Sequence, residues 1–229
     1  DYFMKGIKSE SIKDNSVIDS GHSYQSKEPG ITITMNGIFE KQISKNQGQE
    51  DDLIYLSKPL GTGYLLAAYF NNSDFLSSID FQSLLEWMKK GNSKASEISK
   101  SFNSNITTDI SGFGLGSHLS DICKSSKLSA EIKLNKEILI NENIEILENF
   151  KSTGFENNYS SSINDISISD SNKLKNILYD PQTNGPLLLS IHKKDQIEFE
   201  KKFQLNLGFR PILLGKFKKS EDKLINVID

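Results

Sequence analysis

The chain of 229 residues carries 27 Lys and Arg against 30 Asp and Glu, a net charge of −3. It therefore has no basic excess to neutralise a phosphate backbone, which argues against nucleic acid as the main partner. Apolar residues make up 36% and charged ones 25%, enough for a core, yet no apolar run approaches the ~20 residues that span a bilayer, and the first residues lack the charged-then-apolar order of a secretory signal. The expectation is a globular, soluble, cytoplasmic protein without a membrane partner. The length exceeds that of a typical single domain and is read as one domain with an additional piece.

Asp1 to Ser20 fits neither the helical nor the strand period and reads as an arm, with only Ser16-Val17-Ile18 strand-like. Ser20-Gly21-His22-Ser23 follows, a stretch in which glycine allows a tight turn and a close backbone approach to a ligand. Ile31 to Phe39 alternates apolar and polar residues and predicts a strand. Glu40 to Asp52 is polar, placing a domain boundary near residue 48.

Asp52 to Ser57 predicts a buried strand, and Lys58-Pro59-Leu60-Gly61-Thr62-Gly63 follows as a rigid loop opening a helix over Tyr64 to Phe70. Strand, glycine loop and helix start is an arrangement that can present N–H groups to an anion. Here the Lys precedes the glycines and the full phosphate-loop spacing is absent, so a structural turn is the favoured reading. Ile79 to Phe102 predicts two helices around Gly91-Asn92, with Trp87 and Met88 as core residues. Thr107 to Leu119 then joins a short strand to a helix through glycines, and it carries one acid, Asp109. The lone Cys123 has no disulfide or zinc partner and sits between apolar helical positions as a small core residue.

Further on, Leu128 to Leu134 predicts a strand, Asn143 to Phe150 a short helix, and Lys151 to Ser171 a long polar loop. Leu174 to Tyr179 resumes helix before the turn Asp180-Pro181-Gln182-Thr183-Asn184-Gly185-Pro186. The close predicts strand Leu187 to His192, helix Lys194 to Leu205, and strands Arg210 to Phe217 and Lys223 to Ile228 as an antiparallel hairpin. The order implies an α+β fold, a mixed or antiparallel sheet with helices on one face.

Four of these stretches carry a resemblance. Gly21-His22-Ser23 with Glu28-Pro29, Lys58 to Gly63, Thr108 to Gly114 with His118-Leu119, and Asp180-Pro181-Gln182-Thr183 resemble selenophosphate synthetase (selenide, water dikinase), of the AIR-synthase-like ATP-binding superfamily. The likeness runs from Gly21 to the C-terminus, and the Asp180 stretch is its most family-specific part. It implies an ATP-dependent phosphotransferase that turns ATP, selenide and water into selenophosphate, AMP and phosphate, with Mg2+ neutralising the triphosphate. Asp109 matches the family's magnesium-binding acid, as suits a hard cation that takes carboxylate oxygens. Gly21, His22 and Ser23 match a segment that contacts ATP across a homodimer interface. The glycines around Phe113 and the Asp180 turn match shape-setting parts and are assigned no ligand.

The family's nucleophilic Cys or selenocysteine, its essential Lys and its other magnesium-binding aspartates have no match before Gly21. Asn184-Gly185-Pro186 replaces a Ser-Gly-Gly, Gly116-Ser117 a Leu-Gly, and Ser20 a Gly. The implied architecture is a remnant of the N-terminal ATP-binding domain over residues 1–48, whose strand lacks a sheet and needs a partner edge, then an AIR-synthase-like C-terminal domain over 49–229. Such a chain is expected to be the C-terminal portion of the enzyme, incomplete by itself. Two other readings are a non-catalytic dimerisation or regulatory module of the same fold, and another ATP-using member of the superfamily.

Overall fold

The computed structural model describes residues 2–38, 46–71 and 78–228, in two compact units, Asp1–Gln42 and Ile43–Asp229. In the first unit, Tyr2–Lys13 forms helix α1 where an irregular arm is expected from the sequence. No residue of α1 is buried, so it has no core-facing stripe. Local interactions support it instead: Lys13 pairs with Glu10 at 2.6 Å and places its charge at the negative end of the helix dipole. Residues 16–38 have no regular secondary structure. The strand-like Ser16-Val17-Ile18 and the strand expected from Ile31 are thus both absent over these residues, while Phe39 lies outside the described ones. Alternation alone does not make a strand, because its backbone groups need a ladder partner.

The second unit is built on a seven-stranded mixed sheet. Its elements in chain order are β1 (Leu53–Leu56), α2 (Thr62–Phe70), α3 (Ser78–Lys89), α4 (Ser93–Ser101), β2 (Thr107–Asp109), α5 (Gly114–Ser126), β3 (Leu128–Lys133), α6 (Ile144–Asn149), α7 (Phe155–Ser162), β4 (Ile166–Ser167), β5 (Leu187–Ile191), α8 (Gln196–Leu207), β6 (Ile212–Lys219) and β7 (Ile225–Ile228). The spatial order is β2-β5-β1-β6-β3-β7-β4. Central β1 pairs antiparallel with β5, Tyr55 opposite Leu189, and with β6 on its other edge.

All four residues of β1 are buried. A strand with both faces apolar needs cover on both, and here helices lie on both faces of the sheet rather than on the one expected. Ile54, Leu56 and Leu188 join the larger core with Leu65 of α2 and Leu115, Leu119 and Ile122 of α5. Leu53, Tyr55, Leu189 and Ile191 pack on the second face against Ala95 and Ile98 of α4 and Phe199 and Phe203 of α8. The i, i+4 spacing of Phe199 and Phe203 puts both rings on one side of α8, each burial contributing on the order of 2 kcal/mol. Cys123 is buried in the larger core, and burial pushes its thiol up to about 12.

Two further expectations are corrected. β6 and β7 do not form a hairpin, because β3 lies between them, antiparallel to β6 (Ala130 opposite Phe217) and parallel to β7 (Ala130 opposite Ile225). Buried Ser129 fixes this crossover: its Oγ accepts from Glu221 N and donates to Lys223 O, both at 2.9 Å, and Ala130 N donates to Leu224 O at 2.7 Å. The polar stretch from Lys151 contains a helix, α7, whose buried residues are Phe155, Asn158 and Ser162. Two of those three are polar, so hydrophobic spacing cannot reveal the helix.

Candidate functional site

The loop Lys58 to Gly63 leaves the end of β1 and opens α2, as the sequence predicts, but its N–H groups face the chain's own side chains. Gln182 Oε1 accepts from Gly61 N at 2.9 Å, from Thr62 N at 3.2 Å and from Thr62 Oγ1 at 3.2 Å. Asp180 Oδ2 accepts from Gly63 N at 3.1 Å. Gln182 Nε2 donates to Asp180 O at 2.9 Å and Oδ2 at 2.8 Å, and Thr183 N donates to Thr62 Oγ1 at 2.8 Å. The positive end of α2 is therefore closed by a carboxyl and an amide from residues 180–183, which leaves no place there for a phosphate. Asp180 is 1% exposed, and burial raises its pKa to about 7 despite the hydrogen bonds from Gln182 and Gly63. The loop and turn fit without a gap, because a Cβ at Gly63 would overlap Asp180 Oδ1 and Pro181 O.

The same turn holds the stretch around Asp109. Strand β2 ends with Asp109 opposite Leu187 of β5, Ile110 N donates to Pro186 O at 2.8 Å, and Gln182 N donates to Ser111 O at 3.0 Å. Ser111 N donates to His118 Nε2 at 3.3 Å, and Asn158 Nδ2 donates to Gly112 O at 2.9 Å and to Tyr179 O at 3.0 Å. Gly114 begins α5 at φ 73°, a left-handed conformation that glycine adopts without strain, and a side chain there would press on Leu178 O. The loop is thus held by backbone contacts on several sides while Asp109, Gly112 and Phe113 stay exposed. Asp109 presents its carboxylate from this fixed rim, with no side-chain hydrogen bond or ion pair among the described residues.

The Asn184-Gly185-Pro186 departure is accommodated locally. Asn184 takes a left-handed φ of 48°, which asparagine tolerates, and its Nδ2 donates to Met88 O at 2.6 Å. Pro186 contributes only a carbonyl, and the next amide, Leu187 N, donates to Ser57 Oγ at 2.8 Å.

Among the described residues, no group of three or more His, Cys, Asp or Glu side chains converges to hold a metal ion. One exposed carboxylate supplies only part of the near-octahedral oxygen ligation that magnesium requires. Gly21, His22 and Ser23 lie exposed in the first unit, outside regular secondary structure, and Asp109 lies in the second. Sequence reasoning missed two roles. Gln182 serves as the acceptor that closes the glycine loop, and Lys58 turns away from that loop to donate to Lys90 O at 2.6 Å. The Asp180–Thr183 motif marks Gln182 but gives no sign of its partner 121 residues away.

Residues 49–207 match the family described as AIR synthase related protein, C-terminal domain, and the chain belongs to that family. Among curated proteins, it is similar to the selenide, water dikinase of Campylobacter jejuni, 33% identical over 225 residues, covering 97% of this chain and 65% of that protein. It is likewise similar to the selenide, water dikinase of Caldanaerobacter subterraneus subsp. tengcongensis, 27% identical over 210 residues, covering 90% and 60%. The chain thus spans 60–65% of the length of these relatives. Among solved structures, the thiamine-monophosphate kinase of Stenotrophomonas maltophilia is similar at a TM-score of 0.58 and 13% identity, over 81% of this chain and 52% of that one. E. coli HypE, a hydrogenase maturation protein, is similar at a TM-score of 0.52 and 9% identity, over 83% and 50%. Both likenesses are of fold alone. No helix among the described residues is long and apolar enough to cross a membrane.

Proposed function

We propose that this chain forms part of a selenophosphate synthetase, which converts ATP, selenide and water into selenophosphate, AMP and phosphate. The observation that carries the reading is Asp109: an exposed carboxylate on a rim built from the family's own motifs, in a chain whose curated relatives are named selenide, water dikinase. In this reading Asp109 is one oxygen donor toward Mg2+, and the other ligands come from outside the described residues. The reacting nucleophile and lysine also come from elsewhere, so the chain is inactive alone.

Gly21, His22 and Ser23 are assigned to ATP, contacted across a homodimer. Dimerisation is supported by the exposed apolar residues of the first unit, among them Tyr2, Val17, Ile33 and Met35, which a single copy leaves in water. The test is 31P NMR of ATP, selenide and Mg2+ incubated with this chain, alone and joined to the N-terminal region of the Campylobacter jejuni relative. Selenophosphate and AMP are expected only from the joined protein. Turnover by the chain alone would overturn the incompleteness, and ATP consumption by the joined protein without selenophosphate would overturn the acceptor.

A further inference from the structure

Lys58 follows β1 and is 3% exposed, an unusual place for an ammonium group without a carboxylate beside it. Among the described residues its Nζ donates one hydrogen bond, to Lys90 O at 2.6 Å. An ammonium has three N–H donors, so two remain for other partners. No ion pair to Lys58 or Lys90 occurs among the described residues. Burial and the neighbouring Lys90 charge both push Lys58 down, to about 8. The Lys90 ammonium lies 4.4 Å from the Trp87 ring centroid and 5.6 Å from that of Phe209, held over aromatic faces rather than by an acid.

Both lysines line a cleft of about 180 Å³, walled by Ala95, Leu207 and Phe209. At ~30 Å³ per water, that is room for a small oxyanion and some solvent. Asn92 stands at its rim as the N-cap of α4 but does not cap the helix, because its Nδ2 donates to Gly185 O at 2.9 Å. Gly91, Asn92 and Ala95 at the start of α4 line the cleft, which sets the positive end of the helix dipole beside the two lysines. Two cations and an uncapped helix start line this cleft, with no acid among its described lining residues.

We propose that the Lys58–Lys90 cleft is a binding site for a small oxyanion of the phosphate class, either inorganic phosphate or the phosphoryl end of a nucleotide monophosphate. The apolar walls and the buried lysine favour a compact, multiply charged group over chloride or an extended polyanion. Asp109 is not among the residues that line this cleft, and the proposal holds whether or not the chain belongs to a selenide-using enzyme.

The experiment is titration of the intact chain with inorganic phosphate and, separately, with AMP, followed by amide NMR and by thermal shift. Saturable perturbation of Gly91, Asn92 and Ala95, with a rise in Tm, is expected for at least one ligand. Response to phosphate alone identifies the free anion, and tighter response to AMP identifies the nucleotide. Replacing either cation, Lys58→Met or Lys90→Gln, is expected to weaken the affinity about tenfold or more, while Lys151→Met is expected to leave it unchanged. Lys90 is only partly buried, so Lys90→Gln keeps the test decisive if Lys58→Met fails to fold. Absence of saturable binding of both ligands, perturbations that map elsewhere, or affinity unchanged in Lys90→Gln would each overturn the proposal.

Discussion

Asp180 accepts the Gly63 amide at 3.1 Å across 117 residues of sequence, so the loop that looks from its glycines like an anion cradle is closed by the protein's own carboxyl. Gln182 completes the closure with three contacts to Gly61 and Thr62. The same turn fixes Ser111 and, through Pro186, Ile110. These contacts fix the backbone that follows Asp109, whose carboxylate stays exposed.

Removing the Gln182 side chain exposes this dependence. Gln182→Ala leaves two buried amides and the Thr62 hydroxyl without their acceptor, at a cost of about 2–4 kcal/mol. Urea denaturation should show that loss, and a change below about 0.5 kcal/mol would mean the latch is not structural.

Glycine positions should divide by space. Gly63→Ala drives a Cβ into Asp180 Oδ1 and Pro181 O and should destabilise by about 2 kcal/mol or more. Gly21→Ala meets nothing within 4 Å and should leave thermal stability unchanged, so any loss there on ATP binding would report a ligand contact.

Asp180 should give the fold a pH signature. Its folded pKa, raised to about 7 from 3.8 by burial, means that the native state holds a proton that the unfolded chain gives up. Its contribution to stability is fully present below about pH 4 and is lost as pH rises through 7. Asp180→Asn keeps an acceptor for Gly63 and Gln182 but does not titrate, so the difference in unfolding free energy between the two proteins should change steadily across pH 4–7. A constant difference would contradict a neutral buried carboxyl.

The β3 crossover offers a separate check. Ser129→Ala removes a buried hydroxyl that bonds both Glu221 N and Lys223 O and should cost about 1–2 kcal/mol. Hydrogen exchange should accelerate first in β7, and unchanged protection there would contradict the assigned role.

Much of the second unit is legible in its sequence because its burial is apolar. Leu53–Leu56 reads as a buried strand, and Leu115, Leu119, Ile122 and Cys123 show the helical stripe of α5. Asp109 is visible as the one acid in its glycine stretch. The features that escape are held by other forces. α7 buries Asn158 and Ser162, whose partners are carbonyls from distant segments and from the helix itself. α1 faces no core, and the β6–β7 connection depends on Ser129 lying under it. Lys58 could be seen as a residue beside a glycine loop, but its direction away from that loop depends on Lys90 O, which only the tertiary structure brings near.

Asp109 is exposed and lacks a side-chain partner among the described residues, so Asp109→Asn should change unfolding free energy by less than about 0.5 kcal/mol. The most direct measurement is 31P NMR of selenophosphate formation, with Mg2+, ATP and selenide, by the chain joined to the N-terminal region of the Campylobacter jejuni relative, comparing the unsubstituted joined protein with its Asp109→Asn variant. The variant is expected to be fully folded and to have lost selenophosphate formation. Selenophosphate formed at the unsubstituted rate would contradict the assignment of Asp109 to the metal.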